Sequence, residues 1–188
     1  WHNRVDSASK TEIFIASQLT HTPVDYIYLQ KDNELEDLTK YPVLFYPHAL
    51  ILSDDRMELL KAYVAQGGCL IMGCRTGQKD ETGQCPMTKI PGLAANLAGT
   101  TVSDFTFVGP NDDVMYVDWN GTKIEAPIFN DILEVASDNA KVLGTYIGNY
   151  YDGKPALIEN TYGKGNVIYF GATFTRENVK LFLNMQAY

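Results

Sequence analysis

Apolar residues recur three and four positions apart in several stretches of the chain, and this spacing predicts amphipathic helices. The longest predicted helices cover residues 9–19, 53–66 and 175–186, and shorter ones cover residues 90–98 and 127–136. Ser53 is a typical helix N-cap, and Asp54 and Asp55 would stand in the first turn, where they complement the helix dipole. Helices are therefore expected along the whole chain.

Short runs of β-branched, aromatic and other apolar residues predict strands between these helices. The dipeptide Asn120-Gly121 predicts a tight hairpin, and residues 162–166 predict a second turn between two strands. The predicted strands cover residues 24–29, 43–46, 69–72, 100–108, 114–117, a short segment near Ile124, 142–147, 156–159 and 167–170.

The order strand, helix, strand over residues 42–72 predicts a right-handed βαβ unit with parallel strands. The run at residues 42–47 lacks polar alternation, which is typical of a strand covered on both faces. The predicted fold class is therefore α/β and flavodoxin-like, with a mainly parallel sheet and an antiparallel extension near the C-terminus. At 188 residues we expect one domain over residues 1–188.

Composition excludes some functions. The net charge is -8, which disfavours a nucleic-acid surface, and no apolar stretch approaches the length of a membrane span. The three cysteines form no disulfide framework, and no signal-peptide pattern is visible, so a cytoplasmic location is expected. Because the first residue is Trp1 rather than Met, we expect a fragment of a longer chain.

The segment at residues 73–87 is the most informative part of the sequence. It begins directly after the apolar run 69–72, is polar and punctuated by glycine, and continues to Met87 without periodicity. Loops at the carboxyl ends of parallel strands are where α/β proteins meet ligands, and long ordered loops are usually functional. We therefore predict a functional loop here, with subunit contact as one of its roles.

Catalytic chemistry has one weak candidate, the thiol of Cys74, which stands at the end of a predicted strand, where a nucleophile elbow would place it. A cysteine nucleophile needs a histidine base, and His48 ends a predicted neighbouring strand. Arg75 follows Cys74 directly, however, and no histidine lies after it, so a structural thiol is favoured. The cysteines and histidines lack the spacing of a metal site, and no cofactor is expected.

Aromatic residues leave a second alternative, a stand-alone carbohydrate-binding module. Trp1, Trp119, Tyr150 and Tyr151 are the side chains that would stack on sugar rings. Aromatic residues are more often found in cores and interfaces, so this interpretation is kept only as an alternative.

Several segments together resemble the trimerisation domain of glycoside hydrolase family 42 β-galactosidases, the middle domain after the catalytic barrel. The segment at residues 75–81, Arg-Thr-Gly-Gln-Lys-Asp-Glu, is similar to the family's loop motif. The other matching segments are residues 24–26, 46–50, 59–68, 90–93 and 162–165. The resemblance covers residues 24–174 and implies a three-layer sandwich like that of class I glutamine amidotransferases. The family's usual first strand is cut or altered in residues 1–10.

The resemblance also implies a function. The parent enzyme would hydrolyse terminal β-D-galactosides with retention, using two glutamates on a TIM barrel that this fragment lacks. The domain itself would be non-catalytic, would hold a homotrimer together, and would contact galactoside only indirectly, with loops that face the neighbouring barrel and wall its active-site funnel. Arg75, Lys79 and Asp80 are expected at that contact. The complete set of expected interface or substrate-funnel residues is Arg75, Thr76, Gly77, Lys79, Asp80 and Glu81.

Overall fold

The computed structural model of the chain describes residues 2–30 and 32–185 as a mixed α/β structure. The helices are α1 (His2–Leu19), α2 (Leu35–Thr39), α3 (Asp54–Ala65), α4 (Ala95–Ala98, entered through a 3₁₀ turn at Gly92–Ala94) and α5 (Arg176–Met185). The strands are β1 (Val43–Tyr46), β2 (Cys69–Met72), β3 (Thr100–Phe107), β4 (Tyr116–Trp119), β5 (Thr122–Glu125), β6 (Phe129–Val135), β7 (Ala140–Ile147), β8 (Pro155–Tyr162) and β9 (Gly165–Phe170).

Seven strands in the described ranges form one sheet in the order β1-β2-β9-β8-β7-β4-β5. Only β1, β2 and β9 run parallel to one another, whereas β9, β8, β7, β4 and β5 pair antiparallel. The predicted mainly parallel sheet is therefore wrong in its proportions. The physical reason is local, since short hairpin turns join β4 to β5 and β8 to β9, and a short turn can only return the chain antiparallel.

The predicted βαβ unit is confirmed. Helix α3 begins after Ser53, whose hydroxyl accepts a hydrogen bond from the Arg56 main-chain N–H, and it connects the parallel strands β1 and β2. Strand β1 lies at the edge of the sheet, yet Phe45 packs on one core cluster and Leu44 on the other. Both faces of this strand are therefore covered, as its uniform apolar run predicted.

The core lies on both faces of the sheet. On one face, α1 and α5 contribute Ile13 and Phe182 to the same core cluster as Ile71 of β2. On the other face, α2, α3 and α4 pack with Leu70 of β2 and Leu133 of β6. Successive residues of β2 point into opposite clusters, as the alternation of a strand requires. None of the helices in the described residues is long and apolar enough to cross a membrane.

Strand β6 replaces the helix predicted over residues 127–136. Its apolar residues Phe129, Ile132 and Leu133 have helical spacing, but Ile132 and Leu133 lie in opposite core clusters, as in a strand buried on both faces. β6 pairs antiparallel with β3 in a separate two-stranded ribbon. Long-range pairing with β3 thus decided the conformation, which the local spacing could not reveal.

The strand predicted over residues 24–29 is also wrong, because this segment takes part in no sheet pairing within the described structure. Its alternation is nevertheless real. Ile27 and Leu29 pack against the core, while Tyr26 and Tyr28 are exposed. The pattern therefore reports an irregular segment with one side on the core. The strand predicted at residues 114–117 lies two residues later, as β4. The remaining predicted strands and the predicted helices at residues 9–19 and 90–98 are present, and Trp1 and Gln186 lie outside the described residues.

Candidate functional site

The loop at residues 73–87 follows β2 directly and is held by main-chain hydrogen bonds to the segment after β1. The Gly77 N–H donates to the Ala49 carbonyl oxygen at 2.8 Å, and the Lys79 N–H donates to the Leu50 carbonyl oxygen at 2.9 Å. The Leu52 N–H donates back to the Lys79 carbonyl oxygen at 3.3 Å. These bonds fix the path of the loop at the carboxyl ends of two neighbouring parallel strands, so the loop is an ordered element.

A buried carboxylate anchors the start of the loop. Arg75 has φ +69, and its main-chain N–H donates to Asp131 Oδ2 at 2.7 Å. The Tyr169 hydroxyl donates to the same oxygen at 3.1 Å. Burial raises the pKa of Asp131 to about 6, although the hydrogen bond from Arg75 and its guanidinium charge both lower it. Asp131 thus holds Arg75 in a left-handed conformation that non-glycine residues rarely adopt.

The Arg75 guanidinium lies against two stacked rings. Its Cζ is 4.6 Å from the centroid of Phe129 and 5.5 Å from that of Phe105, and the two rings stack at 5.6 Å with 18° between their planes. Arg75 Nε is buried without a hydrogen-bond partner in the described structure, and none of the ion pairs found there includes Arg75. The ring of Phe105 is half exposed. The loop thus places a fixed cation, the Arg75 guanidinium, beside the exposed aromatic surface of Phe105.

Thr76 and Gly77 support the loop from inside. The buried Thr76 hydroxyl donates to the Gly73 carbonyl oxygen at 2.7 Å. Gly77 has φ +64, and a Cβ added there would lie 2.1 Å from the Pro91 carbonyl oxygen. Only glycine fits this close approach of two main-chain segments. These two residues therefore position the loop and are not presented on its surface.

Lys79, Asp80 and Glu81 lead to the tip of the loop. Asp80 Oδ1 accepts hydrogen bonds from both the main-chain N–H and the hydroxyl of Thr82, and from the Gln84 N–H. These bonds hold the pKa of Asp80 below its ordinary value. Asp80 is thus engaged in the turn, whereas Glu81 is exposed and Lys79 is partly exposed.

A pocket of about 310 Å³ lies beside the loop and shares the Phe105 ring with the Arg75 contact. The buried Gln78 Oε1 has no hydrogen-bond partner in the described residues. Arg75 itself does not line the pocket. The lining residues are Gln78, Cys85, Pro86, Thr88, Lys89, Ile90, Val102, Ser103, Asp104 and Phe105.

The environment of Cys74 does not suit a nucleophile. The thiol is fully buried, and burial together with the nearby Asp131 carboxylate raises the pKa of Cys74 well above its usual range. The predicted neighbour His48 is close, but its Nδ1 lies 3.1 Å from the Cys74 carbonyl oxygen. Burial lowers the pKa of His48. The contact between these residues thus involves the main chain, and the amidotransferase-like alternative is not favoured.

The proposed sugar-stacking residues are dispersed. Trp119 is 5% exposed and contacts the Phe182 ring at 4.7 Å in the core, and Tyr151 is 1% exposed. Only Tyr150, which is 66% exposed, is available to solvent, and Trp1 lies outside the described residues. The alternative of a stand-alone sugar module is not favoured, because core packing accounts for Trp119 and Tyr151.

Sequence reasoning missed three residues of this site, namely Phe105, Phe129 and Asp131. Asp131 carried the one usable signal, since it is a carboxylate directly before the apolar pair Ile132 and Leu133, and the chain buries it. Across residues 2–30 and 32–185, no group of three or more His, Cys, Asp and Glu side chains is arranged to hold a metal ion.

Comparison with protein families gives a match over nearly the whole chain. The family described as the β-galactosidase trimerisation domain matches residues 19–187. A β-galactosidase of Geobacillus sp. is 32% identical over 136 residues, which cover 72% of this chain and 20% of the relative. A β-galactosidase of Clostridium cellulovorans is 32% identical over 145 residues, which cover 77% of this chain and 22% of the relative. The chain therefore spans about a fifth of the length of these relatives.

Solved structures share the fold. A β-galactosidase from Rahnella sp. R3 superposes with a TM-score of 0.85 at 22% identity, over 95% of this chain and 26% of that one. A β-galactosidase from Bacillus circulans sp. alkalophilus gives a TM-score of 0.83 at 23% identity, over 94% of this chain and 26% of that one. At this level of identity the likeness establishes the fold alone.

Proposed function

The chain belongs to the β-galactosidase trimerisation domain family, and from this premise we propose that it is the non-catalytic oligomerisation domain of a longer β-galactosidase. The family match over residues 19–187 carries the proposal. The rest of the enzyme would supply the catalytic barrel with its two glutamates, because a barrel needs about 200 residues of its own. The complete enzyme would act on terminal β-D-galactosides. Residues 1–188 would form one domain of that cytoplasmic enzyme, and no cofactor is needed for holding subunits together.

We further infer that the body of the domain is a variant of the flavodoxin-like and amidotransferase-like folds. The parallel β1–α3–β2 unit and the helices on both faces of the sheet support this relation. The larger antiparallel part of the sheet is the departure from it. In this view the carboxyl ends of β1 and β2, where enzymes of that class place reactive groups, carry the subunit-contact loop.

The loop at residues 73–87 is our candidate for the contact with the neighbouring subunit and the wall of its active-site funnel. The base of this loop is fixed, because the main chains of Gly77 and Lys79 are hydrogen-bonded to the segment after β1. Glu81 and part of Lys79 are exposed, and Phe105 adds an apolar surface beside them. Aromatic residues are enriched in protein interfaces, and polar residues such as Lys79 and Glu81 stand at their rim.

The test is the mass of the full-length enzyme, measured by light scattering during gel filtration over a range of concentrations. We expect three chains for the wild type and a shift toward monomer for the double substitution Lys79→Ala with Glu81→Ala. The matched control is Lys61→Ala with Glu58→Ala, which also removes one charge of each sign, from an ion pair on α3. A wild type that stays monomeric at every concentration would contradict the proposal.

A further inference from the structure

The side chain of Arg75 has an unsatisfied hydrogen-bond donor within the described structure. A guanidinium carries five N–H donors, and its Nε here is buried without an acceptor. A buried donor that stays unpaired loses its hydration without compensation, which destabilises the folded chain. The Arg75 main chain is fixed by Asp131, so the side chain cannot leave its place by a simple shift of the loop. An acceptor from outside the described residues is what this side chain lacks.

The surroundings hold the guanidinium ready for that acceptor. Phe129 and Phe105 lie against it at 4.6 Å and 5.5 Å, measured from Cζ to the ring centroids. Stacking on aromatic rings orients the planar group and removes part of its hydration. The Phe105 ring also borders the pocket of about 310 Å³, which lies beside the guanidinium although Arg75 does not line it. Arginine and aromatic residues in such positions dominate the binding energy of protein interfaces.

The nearby carboxylates are already engaged. Asp131 Oδ2 accepts from the Arg75 main chain and from Tyr169, and lies in the core. Asp104 accepts from the Tyr150 hydroxyl at 2.8 Å and from the Phe105 N–H at 2.8 Å. Neither forms an ion pair with Arg75 in the described structure. The acceptor therefore has to come from elsewhere.

Charge complementarity points to a second copy of the chain. The sequence has 23 Asp and Glu against 15 Lys and Arg, so another copy offers an excess of carboxylates. Carboxylates are also the group that matches the guanidinium fork with two parallel hydrogen bonds. We propose that Arg75, seated on Phe105 and Phe129, receives an Asp or Glu side chain of the neighbouring subunit. This inference rests on the proposed oligomerisation role and names the chemistry of its central contact.

The first test compares the removal of two cations that both lie on aromatic rings. In the full-length enzyme, Arg75→Gln is expected to raise the concentration at which the trimer half-dissociates by at least about tenfold, as for an interface hot spot. The matched control is Lys123→Gln. The Lys123 amine on β5 lies 3.9 Å from the ring centroid of Tyr116 on β4, and its removal should change that concentration less than about twofold. Equal effects of the two substitutions would overturn the inference, provided that circular dichroism shows both variants folded.

The second test identifies the acceptor. Arg75→Lys places an amine at the site, and a carbodiimide joins an amine to a carboxylate only where the two are in contact. Subunits with normal and heavy nitrogen are mixed, crosslinked and analysed by mass spectrometry. We expect residue 75 joined to an Asp or Glu peptide of the other isotope. A trimer without that crosslink, or with one only inside a single chain, would overturn the inference and leave the oligomerisation role intact, whereas a monomeric wild type would remove that role itself.

Discussion

Two loops meet strand β3 from opposite sides and differ in how their polar groups are satisfied. The loop at residues 73–87 brings Arg75 against Phe105, and the loop at residues 148–154 brings Tyr150 and Tyr151 against Asp104 and Thr106. Because successive residues of a strand point to opposite sides, one short segment of β3 serves both loops.

The loop at residues 148–154 completes its own contacts. The Gly148 N–H donates to Asp152 Oδ1 at 2.6 Å, and the Gly153 N–H donates to the Tyr146 carbonyl oxygen at 2.9 Å. The hydroxyl of Tyr150 donates to Asp104, although Tyr150 is more exposed than Phe105. Exposure of an aromatic ring is therefore weak evidence for a binding surface. The buried Nε of Arg75, which has no hydrogen-bond partner in the described structure, is what distinguishes the loop at residues 73–87.

The largest expected effect comes from adding one methyl group to a glycine in each loop. Gly153 has φ +75 and open space at the position that a Cβ would take, so Gly153→Ala should cost about 1 kcal/mol of stability from backbone strain alone. Gly77→Ala adds a Cβ at 2.1 Å from the Pro91 carbonyl oxygen and should cost about 2–4 kcal/mol in total. Urea unfolding of both variants measures the difference. Equal losses of stability would show that the main chain around Gly77 can move to accommodate the added methyl group.

The second effect concerns the carboxylate that anchors only the loop at residues 73–87. The pKa of Asp131 is about 6 in the folded chain, against an ordinary value of 3.8. The folded state therefore binds the extra proton between these values, and stability falls as pH rises from about 4 to 6. The size of this change is on the order of 3 kcal/mol. Asp131→Asn keeps an oxygen acceptor for Arg75 and Tyr169 but removes the charge.

Unfolding midpoints of wild type and Asp131→Asn, measured between about pH 4 and pH 8, test this expectation. The substitution should remove the part of the pH dependence that belongs to Asp131 and should leave the protein no less stable at the alkaline end of that range. A variant with the same slope as the wild type would mean that Asp131 titrates normally. A variant that unfolds at every pH would mean that the carboxylate charge itself is needed to hold Arg75.

Local signals in the sequence were sufficient where the structure is decided locally. The cap at Ser53, the glycines after α3 and the dipeptide Asn120-Gly121 each correctly predicted an element boundary or a hairpin. The same kind of reasoning failed for β6, where Phe129, Ile132 and Leu133 have helical spacing but are buried by a strand from elsewhere in the chain. The balance of parallel and antiparallel pairing depends on such distant contacts and was therefore predicted wrongly.

The candidate site shows the same division. Its loop could be located from the sequence, because a polar, glycine-containing stretch follows an apolar strand without a break. Its partners could not be located, because Asp131 lies 56 positions after Arg75 and stood in a segment predicted as a helix. Asp80, which is expected at the subunit contact, also accepts hydrogen bonds through Oδ1 within the turn from Thr82 and Gln84, and no signal in the sequence indicated these bonds. The charged residues of the loop could be identified from the sequence, but the contacts that single out Arg75 among them could be seen only in the fold.

The smallest expected effect comes from the hydroxyl of Tyr150. Partial desolvation and its hydrogen bond to Asp104 raise the pKa of Tyr150 to about 12, so the bond contributes below about pH 10 and is lost as pH rises through about 12. Tyr150→Phe removes this bond at an exposed site, which should cost less than about 1 kcal/mol in urea unfolding at about pH 8. It should leave the mass of the enzyme in solution unchanged, whereas Phe105→Ala should weaken the trimer. If Tyr150→Phe shifts the mass as strongly as Phe105→Ala, the loop at residues 148–154 also belongs to the subunit contact. Pairing of a loop's polar groups within the domain would then not tell which loop contacts the neighbouring subunit.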